Sequence, residues 1–374
     1  MALATFGPGR VFWERFGHDA LIVSDPAAGA PLIYNYGVFD FEQKAFLLNF
    51  ARGHMHYRLL AEPLHADVAR YVAAGRSVTV QILNLSPAEA RKLAALLAWN
   101  ARPENARYRY DYYTNNCATK VRDALNAALG GALERQLSLM PAPHTYRFDT
   151  IRLMSPDFWI ALGMDLGLGP AADRALNLWQ ESFVPMVLSR ALRHVVVRDA
   201  SGRARPLVSD DQVVYRGTLP PAPTSPPDLR IPFLAIGLAF AALLFWLARG
   251  KERFYRTSFA ALTAVWWLAC GITGIVLAAL WGLTDHWAAW GNENLMVLDP
   301  LCLVLAWAWW RAPRFARYLA SLIAAVALLS LIVRTLPTLY EHNLAIIALT
   351  VPVHASLAAL AWRRRRRIRQ PAAA

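Results

Sequence analysis

The chain has 374 residues, of which 56% are hydrophobic, and a formal net charge of +13. That length is enough for two domains. Residues 1–230 have the mixed composition of a soluble domain, whereas residues 231–362 form a series of long apolar runs. The Arg-rich run over 363–369 directly follows the last apolar run, which favours a topology anchor and lipid-headgroup contact over nucleic-acid binding. The basic balance therefore says little about a substrate, and we expect no nucleic-acid partner.

The soluble part alternates predicted strands and helices. In chain order these are strands over 20–23 and 32–39 with a turn over 25–29 between them, a helix over 41–52 closed by Gly53, a strand over 56–60, a helix near 67–74 and a strand over 77–85. Ser86 and Glu89 form a capping box with Pro87 at the first helical position, so a helix runs to about Asn100. Further on we expect helices over 148–200, a hairpin over 207–216 and a proline-rich linker over 220–227.

One cysteine, Cys117, lies outside the apolar final third, in a segment over 115–123 that is typical of a helix start. The positive end of a helix dipole and its unpaired N–H groups both favour a thiolate. The helix stops at Gly130-Gly131, and Cys117, Val121 and Leu125 share one of its faces. The thiol thus lies at the core-facing edge of the helix start, where a cleft can form. The alternative is a small buried side chain without chemistry.

A cysteine nucleophile requires a base, and His18, just before the first predicted strand, is the best placed candidate. The alternative is a hydrogen-bonded structural histidine. Asn35 and Tyr36 are the candidates for orienting His18. Alternation along their strand puts these two side chains on opposite faces, so the sequence leaves the choice between them open.

Metal and cofactor signals are weak. His54 and His56 share a strand face, but no further ligands stand at a recognisable spacing, so we expect no metal there. The chain has no phosphate-binding glycine loop, no Cys-x-x-Cys and no Gly-x-Ser-x-Gly elbow. We therefore expect no cofactor.

Five apolar runs qualify as membrane-spanning helices, at about 231–248, 259–283, 295–310, 318–336 and 344–362. Basic residues follow the first, third and fifth runs, whereas the loops over 284–294 and 337–343 have no Lys or Arg. The positive-inside rule places the basic gaps and the C-terminal tail in the cytoplasm, and residues 1–230 with the two loops on the other side. Because residues 1–15 contain no apolar signal core, we expect an export signal upstream of Met1 or one removed from this sequence.

The two loops without basic residues are rich in polar side chains. They contain Asp285-His286, Asn292-Glu293-Asn294 and Glu341-His342-Asn343. Such clusters are commonly interfacial anchors. Since both loops are predicted on the same side as the soluble domain, they are also candidates to form a floor beneath the Cys–His cleft. There they would hold a lipid headgroup or a polypeptide end, together with Asn116 beside the thiol.

Four stretches carry a family resemblance. They are Phe16-Gly17-His18, Tyr34-Asn35-Tyr36-Gly37, Asn116-Cys117-Ala118-Thr119 with Arg122-Asp123, and Thr284-Asp285-His286 followed by Asn292 and Asn294. Together they resemble the Lnb-type proteins, which have an N-terminal periplasmic domain and a membrane-helix tail and are linked to bacterial lipoprotein N-acylation. The resemblance implies an α+β permuted papain-like (NlpC/P60-like or lecithin:retinol acyltransferase-like) domain, in which the histidine precedes the cysteine. An all-α membrane domain of about five transmembrane helices follows. The expected parts are a catalytic domain over 1–147, a helical extension, hairpin and linker over 148–228, and a transmembrane domain with a basic tail over 229–374.

The function that this resemblance implies is a membrane-bound, cysteine-dependent acyltransferase without a cofactor. Cys117 would take an acyl chain from a membrane phospholipid as a thioester, with His18 as base, and pass it to the N-terminus of a lipoprotein. Two alternatives stay open: a papain-like cysteine hydrolase (amidase or peptidase) acting on cell-wall peptides, and a non-enzymatic membrane receptor or assembly factor. The implied location is a bacterial inner membrane, with a periplasmic N-terminal domain and a cytoplasmic Arg-rich tail.

Overall fold

The structure, a computed structural model, describes residues 1–25, 29–39, 45–198, 202–336 and 340–369, with side chains as far as 363. The chain divides into two compact units. One consists of Met1–Ala161 with Arg174–Pro226, and the other of Leu162–Asp173 with the described residues from Pro227 onward. The middle of the turn predicted over 25–29, the first residues of the helix predicted over 41–52 and the start of the loop over 337–343 lie outside the described residues.

The first unit is an α/β domain. Its strands are β1 (Ala2–Phe6), β2 (His18–Val23), β3 (Leu32–Val38), β4 (His56–Pro63), β5 (Val78–Leu83), β6 (Arg107–Arg109), β7 (Val196–Arg198), β8 (Ala204–Pro206) and β9 (Val208–Tyr215). Its helices are α1 (Phe46–Arg52), α2 (Leu64–Ala73), α3 (Pro87–Asn100), α4 (Cys117–Ala128), α5 (Ala132–Leu137), α6 (Tyr146–Met154), α7 (Phe158–Gly167), α8 (Leu178–Glu181) and α9 (Pro185–Leu192). Of these, α7 begins in this unit and ends in the other.

Seven strands form one antiparallel sheet in the order β6-β4-β3-β2-β1-β5-β9. Each face of this sheet carries its own apolar core. One core packs Leu3 and Leu21 against residues of α3, α4, α5 and α9. The other joins Phe6 and Ala20 to side chains of α2. Because successive side chains of a strand point to opposite faces, each residue at the start of β2 is assigned to one of these two layers.

Several elements of this unit differ from the prediction: β6 was not predicted, β7 lies within the segment 148–200 that was predicted as helical, and β1 and β9 differ most. The five buried residues of β1 form a strand next to the centre of the sheet, although no strand was predicted there. The hairpin predicted over 207–216 is wrong, because β9 is one continuous strand that pairs with β5. The hairpin is instead formed by β7 and β8, just before it. By contrast, the capping box of Ser86 and Glu89 at the start of α3 is confirmed.

The second unit is helical. Its main helices are α10 (Arg230–Leu247), α11 (Arg253–Leu283), α12 (Cys302–Arg311), α13 (Pro313–Val333) and α14 (Leu344–Arg369). Within the described residues, four helices are long and apolar enough to cross a membrane: α10, α11, α13 and the first part of α14. The helix α14 packs against α10 and α13, and Gly237 permits the close approach of α10, because a Cβ there would lie 2.5 Å from the Leu349 carbonyl oxygen.

The third predicted span, over 295–310, is not a single helix. It consists of a 3₁₀ turn, Glu293–Met296, an irregular segment and the ten-residue helix α12. Such a helix is about 15 Å long, half the thickness of a bilayer core. The break lies at Asp299-Pro300, since the residue before a proline is disfavoured in helical conformation. Gly274 of α11 lets the irregular backbone pack closely, because a Cβ there would lie 2.2 Å from the Leu298 carbonyl oxygen.

Candidate active site

The helix α4 begins at Cys117 because the preceding Asn116 caps it. The Asn116 Oδ1 accepts a hydrogen bond from the Thr119 N–H at 2.9 Å, and the Thr119 Oγ1 accepts one from the Asn116 N–H at 2.7 Å. This is a reciprocal capping box. The Asn116 Nδ2 also donates to the carbonyls of Tyr112 and Phe183, at 2.9 and 2.8 Å. The asparagine therefore fixes the helix start, and with it the position of the cysteine, to two neighbouring segments.

The Cys117 thiol lies among backbone N–H groups. Those of Ala118 and Asp19 point to its sulfur and favour the thiolate. Gly37, at the end of β3, packs against Cys117, since a Cβ on it would lie 3.5 Å from the Cys117 Cβ. The effect of burial nevertheless exceeds that of these donors, and the pKa of the Cys117 thiol is raised to about 12. The nearby Asp19 carboxylate is the second largest cause of this increase. The expectation that the helix start lowers this pKa is therefore wrong for the resting protein.

His18 is the first residue of β2 and is held by a chain of polar contacts. Its Nε2 lies 3.0 Å from the Asn35 Oδ1. The Asn35 Nδ2 in turn donates to the Asp67 carboxylate at 2.9 Å. Because the amide oxygen only accepts and the amide nitrogen only donates, Nε2 carries the ring proton and Nδ1 is the basic nitrogen. The Tyr36 hydroxyl instead accepts from Asn100 Nδ2 at 2.8 Å, so the structure places Asn35 against the histidine.

The aromatic surroundings of His18 keep its ring neutral. The ring stacks with Phe6 and with Tyr71 of α2, each at a centroid distance of 6.0 Å. Burial lowers the pKa of His18 to about 4, although its hydrogen bond to Asn35 acts in the opposite direction. Histidine and cysteine are therefore both uncharged at neutral pH in this structure, and the pair does not rest as an imidazolium and a thiolate.

Cys117 and His18 are linked through the backbone of β2 and not, within the described residues, by a hydrogen bond between their side chains. The Cys117 sulfur lies beside the N–H of Asp19, the residue after His18. The His18 ring stacks with Tyr71 of α2. Burial raises the pKa of that tyrosine and the nearby Cys117 adds to the effect, so the imidazole and the thiol share this neighbour. Among the described residues no hydrogen bond joins His18 to Cys117, and such bonds commonly shorten only when substrate is bound.

Two buried charged residues near the thiol were missed from the sequence. Asp19 is fully buried; its Oδ1 accepts from Thr5 Oγ1 at 2.6 Å, and no donor in the described part of the chain reaches its Oδ2. Burial raises the pKa of Asp19 well above its usual value. Arg76 is 5% exposed and donates to the Gly7 carbonyl at 2.8 Å. Burial lowers the pKa of its guanidinium, and Cys117 is among the nearby groups that act in the opposite direction. An acidic residue within an apolar strand was the signal that could have revealed Asp19.

The polar loop residues of the helical unit fall into two groups. Asn292 and Asn294 are buried and donate to the Leu166 carbonyl, at 2.8 and 3.3 Å. Asn294 also donates to Glu341 Oε1 at 2.8 Å, and the buried Asn343 donates its N–H to the Glu341 carbonyl at 2.9 Å. The structure therefore brings Asn292, Asn294 and Asn343 together around Glu341, a member of the polar cluster that the sequence predicted in this loop.

The remaining loop candidates are more exposed. His342 donates its backbone N–H to the Asp173 carboxylate at 3.2 Å, and its ring lies 3.2 Å from the Tyr340 hydroxyl. Asp285 and His286 directly precede the 3₁₀ turn Trp287–Ala289, and the Asp285 carbonyl accepts the Trp287 N–H at 2.8 Å. These contacts fix the loop backbone and leave the His342 side chain at the surface.

His54 and His56, for which no metal was expected, lie apart from the group of converging ligand atoms in the described part of the chain. His54 is half-buried after α1, and His56 is exposed at the start of β4. Within the described residues, the group of His, Cys, Asp or Glu side chains with converging ligand atoms consists of His144, Asp149 and Glu181.

The fold and the site together define a class of protein: a multi-pass membrane protein whose N-terminal α/β domain carries a capped helix-start cysteine near a His–Asn pair. Two family models match this chain. The Lnb N-terminal periplasmic domain matches residues 1–156, and the Lnb transmembrane domain matches residues 226–366. The chain therefore belongs to the Lnb family, as the resemblance indicated, and its N-terminal domain is periplasmic. Comparison with curated proteins gave no significant match, and neither did comparison with solved structures.

Proposed function

We propose that this protein is a membrane-bound acyltransferase that moves an acyl chain from a phospholipid to the N-terminus of a lipoprotein through a thioester on Cys117. The observation that carries the proposal is the position of this thiol at the start of α4, among the N–H groups of Ala118 and Asp19 and next to the His18–Asn35 pair. Membership of a family of membrane proteins with a periplasmic domain supports an enzyme that modifies lipoproteins. Both substrates are then anchored in the same bilayer as the enzyme.

The first half-reaction forms the thioester. The Nδ1 of His18 accepts the proton of the Cys117 thiol as the sulfur attacks the ester carbonyl of the phospholipid. The N–H groups of Cys117 and Ala118, which the helix leaves without intrahelical partners, stabilise the oxyanion of the tetrahedral intermediate. When this intermediate collapses, the carbon–oxygen ester bond breaks and the lysophospholipid oxygen takes the proton from His18. The guanidinium of Arg76 adds positive charge near the sulfur while it is anionic.

The second half-reaction transfers the acyl chain. The N-terminal amine of a diacylated lipoprotein attacks the thioester carbonyl, the carbon–sulfur bond breaks, and the amine proton passes through His18 back to the sulfur. A covalent intermediate suits this chemistry, because two lipid substrates can use one site in turn. Because the resting thiol and imidazole are both neutral, the charged pair forms only with a substrate present, which protects the cysteine between turnovers.

The finer assignments follow from the same interpretation. The order of His18 before Cys117, on an antiparallel sheet with a helix that begins at the nucleophile, supports a permuted papain-like relationship. Among the polar loop residues, the more accessible Asp285, His286 and His342 are assigned to holding the headgroup or the polypeptide end. The buried Asn292, Asn294 and Asn343 are assigned to holding these loops in shape. Asn116 is assigned to positioning the thiol through its helix cap. The basic residues that follow α10 and α12, and those in the last turns of α14, support a cytoplasmic C-terminal tail. For the tail to lie on the cytoplasmic side, the irregular segment before α12 and α12 itself must together cross the membrane once.

The decisive experiment is reconstitution in liposomes. The full-length protein is supplied with a phospholipid labelled in its acyl chain and a diacylated lipopeptide with a free N-terminal amine. We expect label on the lipopeptide amine, release of lysophospholipid, and an acyl adduct on Cys117 in intact-protein mass spectra. Cys117→Ala should form neither adduct nor product, whereas Cys117→Ser should accumulate a slowly turning ester. Cys270→Ala, which changes a cysteine of the helical unit, is the matched control and should retain activity.

Other results would assign another function. Label found only as free fatty acid would mean a lipase. Cleavage of peptidoglycan fragments without label movement would mean a cysteine hydrolase acting on cell-wall peptides, which the same Cys–His chemistry permits with water as the acceptor. Unimpaired cellular function of Cys117→Ala would favour a receptor or assembly factor over both enzymes.

A further inference from the structure

Three side chains outside the cysteine site converge within the α/β unit. His144 lies just before α6, Asp149 lies in the first turn of α6, and Glu181 ends α8. One ligand atom from each of them lies within 4.8 Å of the other two. The His144 Nδ1 is 2.9 Å from Glu181 Oε1 and 3.7 Å from Asp149 Oδ1. Stacking on Phe148, at a centroid distance of 4.2 Å, fixes the plane of the imidazole ring.

Both carboxylates of this cluster are buried, and each has one oxygen that accepts no hydrogen bond from an N–H or hydroxyl group of the described residues. Asp149 is 0% exposed and Glu181 is 1% exposed. No side-chain or backbone N–H or hydroxyl in the described part of the chain reaches Asp149 Oδ2 or Glu181 Oε2. The two carboxyl groups lie within hydrogen-bonding distance of each other, so either a shared proton or a cation must offset their repulsion. An unsatisfied buried carboxylate oxygen is costly, so two of them in one cluster call for a ligand with positive charge. Arg152 does not supply it to these atoms, because its Nε donates to the other oxygen, Asp149 Oδ1, at 2.6 Å.

We propose that His144, Asp149 and Glu181 bind a divalent transition-metal ion, with Zn²⁺ as the best match. One imidazole nitrogen and two carboxylate oxygens are ligands that Zn²⁺ accepts at about 2.1 Å. Two ligands of a tetrahedral ion at that distance are about 3.4 Å apart. His144 Nδ1 lies 2.9 Å from Glu181 Oε1 and 3.7 Å from Asp149 Oδ1, on either side of this value. Because Arg152 donates to Asp149 Oδ1, the second oxygen of that carboxylate, Oδ2, is the one left for the ion. The fourth position is left to water on the side of His144, whose side chain is 29% exposed and provides the entry path.

The location indicates what the ion does. It joins the segment before α6, α6 itself and α8 into one fixed group. The chain continues from α8 to Phe183, whose carbonyl accepts the Asn116 Nδ2 that caps the cysteine helix. The metal is therefore structural: it holds the segment on which the start of α4 rests, and it takes no part in a reaction. Arg152 orients the Asp149 carboxylate as an outer partner of a ligand.

The test is a Co²⁺ titration of the full-length protein in detergent after treatment with a chelator. Co²⁺ alone is added while the visible absorption spectrum is recorded. We expect ligand-field bands that saturate at one ion per chain and that Zn²⁺ displaces, and a higher thermal unfolding temperature with metal. His144→Ala and the isosteric Glu181→Gln should each weaken Co²⁺ binding at least tenfold. His194→Ala, an exposed histidine of the same unit, should leave the titration unchanged.

Two outcomes would overturn the proposal. If folded wild-type protein gives no saturable bands, Asp149 and Glu181 share a proton and hold no metal. If Cys117→Ala abolishes the bands while Glu181→Gln keeps them, the ion binds at the thiol instead. Should His144→Ala fail to fold, Glu181→Gln decides the matter, because it retains the shape and the hydrogen-bonding capacity of the cluster. None of these readouts depends on enzymatic activity.

Discussion

The reactivity of Cys117 in the absence of substrate provides a sharp test of the site. Burial and the nearby Asp19 carboxylate hold the pKa of this thiol at about 12, although the helix start offers it N–H donors. The thiolate is the nucleophile in alkylation. The rate of reaction with iodoacetamide should therefore keep rising with pH well beyond the point at which a free cysteine has reached its plateau.

The expected size of the effect follows from two opposing contributions. Relative to a free cysteine with a pKa of about 8.5, a thiol with a pKa of about 12 has roughly 3,000-fold less thiolate at pH 7. A more basic thiolate is intrinsically more nucleophilic, with a Brønsted slope of about 0.4–0.5, which returns a factor of roughly 30. The net prediction is that Cys117 reacts about a hundredfold more slowly than a free cysteine at pH 7.

The assay measures iodoacetamide adducts by peptide mass spectrometry between pH 6 and 10, with the same protein unfolded in denaturant as the free-cysteine reference. Asp19→Asn removes the carboxylate that raises the thiol pKa and keeps the side-chain shape, so it should shift the profile to lower pH. His18→Ala should leave this resting profile nearly unchanged, because its ring bonds to Asn35, and yet abolish acyl transfer.

A plateau in the alkylation rate of the folded wild-type protein below pH 8 would refute this reasoning. It would mean that the thiolate exists at rest and that the helix start, rather than burial, controls the site. An upward shift of the profile in His18→Ala would mean that the two residues already form an ion pair without substrate.

Four further predictions concern the framework of the site. Asn116→Ala removes a helix cap and leaves two buried carbonyls without their donor, which should lower the unfolding free energy by about 2–4 kcal/mol in denaturant titrations; an unchanged midpoint would contradict the cap. Asn35→Ala frees the His18 ring and should slow acyl transfer about a hundredfold at unchanged folding. Gly37→Ala has room for its methyl but requires a φ of +93°, so a loss of about 1–2 kcal/mol is expected by thermal unfolding. Since folding lowers the pKa of His18 from 6.5 to about 4, stability should fall as pH decreases through this range, by at most about 3 kcal/mol, and His18→Ala should remove that part of the slope.

The parts of the fold that could be predicted are those with local signals. The capping box that begins α3, the glycine that closes α1 and the start of α4 each depend on residues within one or two turns of each other. The strand β1 was missed because its five residues carry no turn or alternation signal of their own. The strand β9 was misassigned because its partner β5 lies about 130 residues away in the chain, a pairing that a pattern in one segment cannot reveal.

The site was predictable to a similar extent. Cys117 and His18 were singled out from residue type and local context, but their environment depends on strand register. Register decides that Asn35 rather than Tyr36 reaches the His18 ring, and that Asp19 lies on the side of the thiol. The sign of the thiol pKa shift was missed because burial is a tertiary property, and here its effect exceeds that of the local helix start.

The division of the chain between its two units affects how the protein folds during synthesis and whether proteolysis can separate the units. The polypeptide passes from one unit to the other three times, after Ala161, after Asp173 and after Pro226. Within Leu162–Asp173, Leu162 and Leu166 pack on the apolar core of the helical unit. During synthesis this segment leaves the ribosome before α10, so the helices against which it packs have not yet been made. A single cut after Pro226 would therefore release an N-terminal fragment with an apolar segment that has lost its partners, so the protein does not separate into a soluble enzyme and a dispensable anchor.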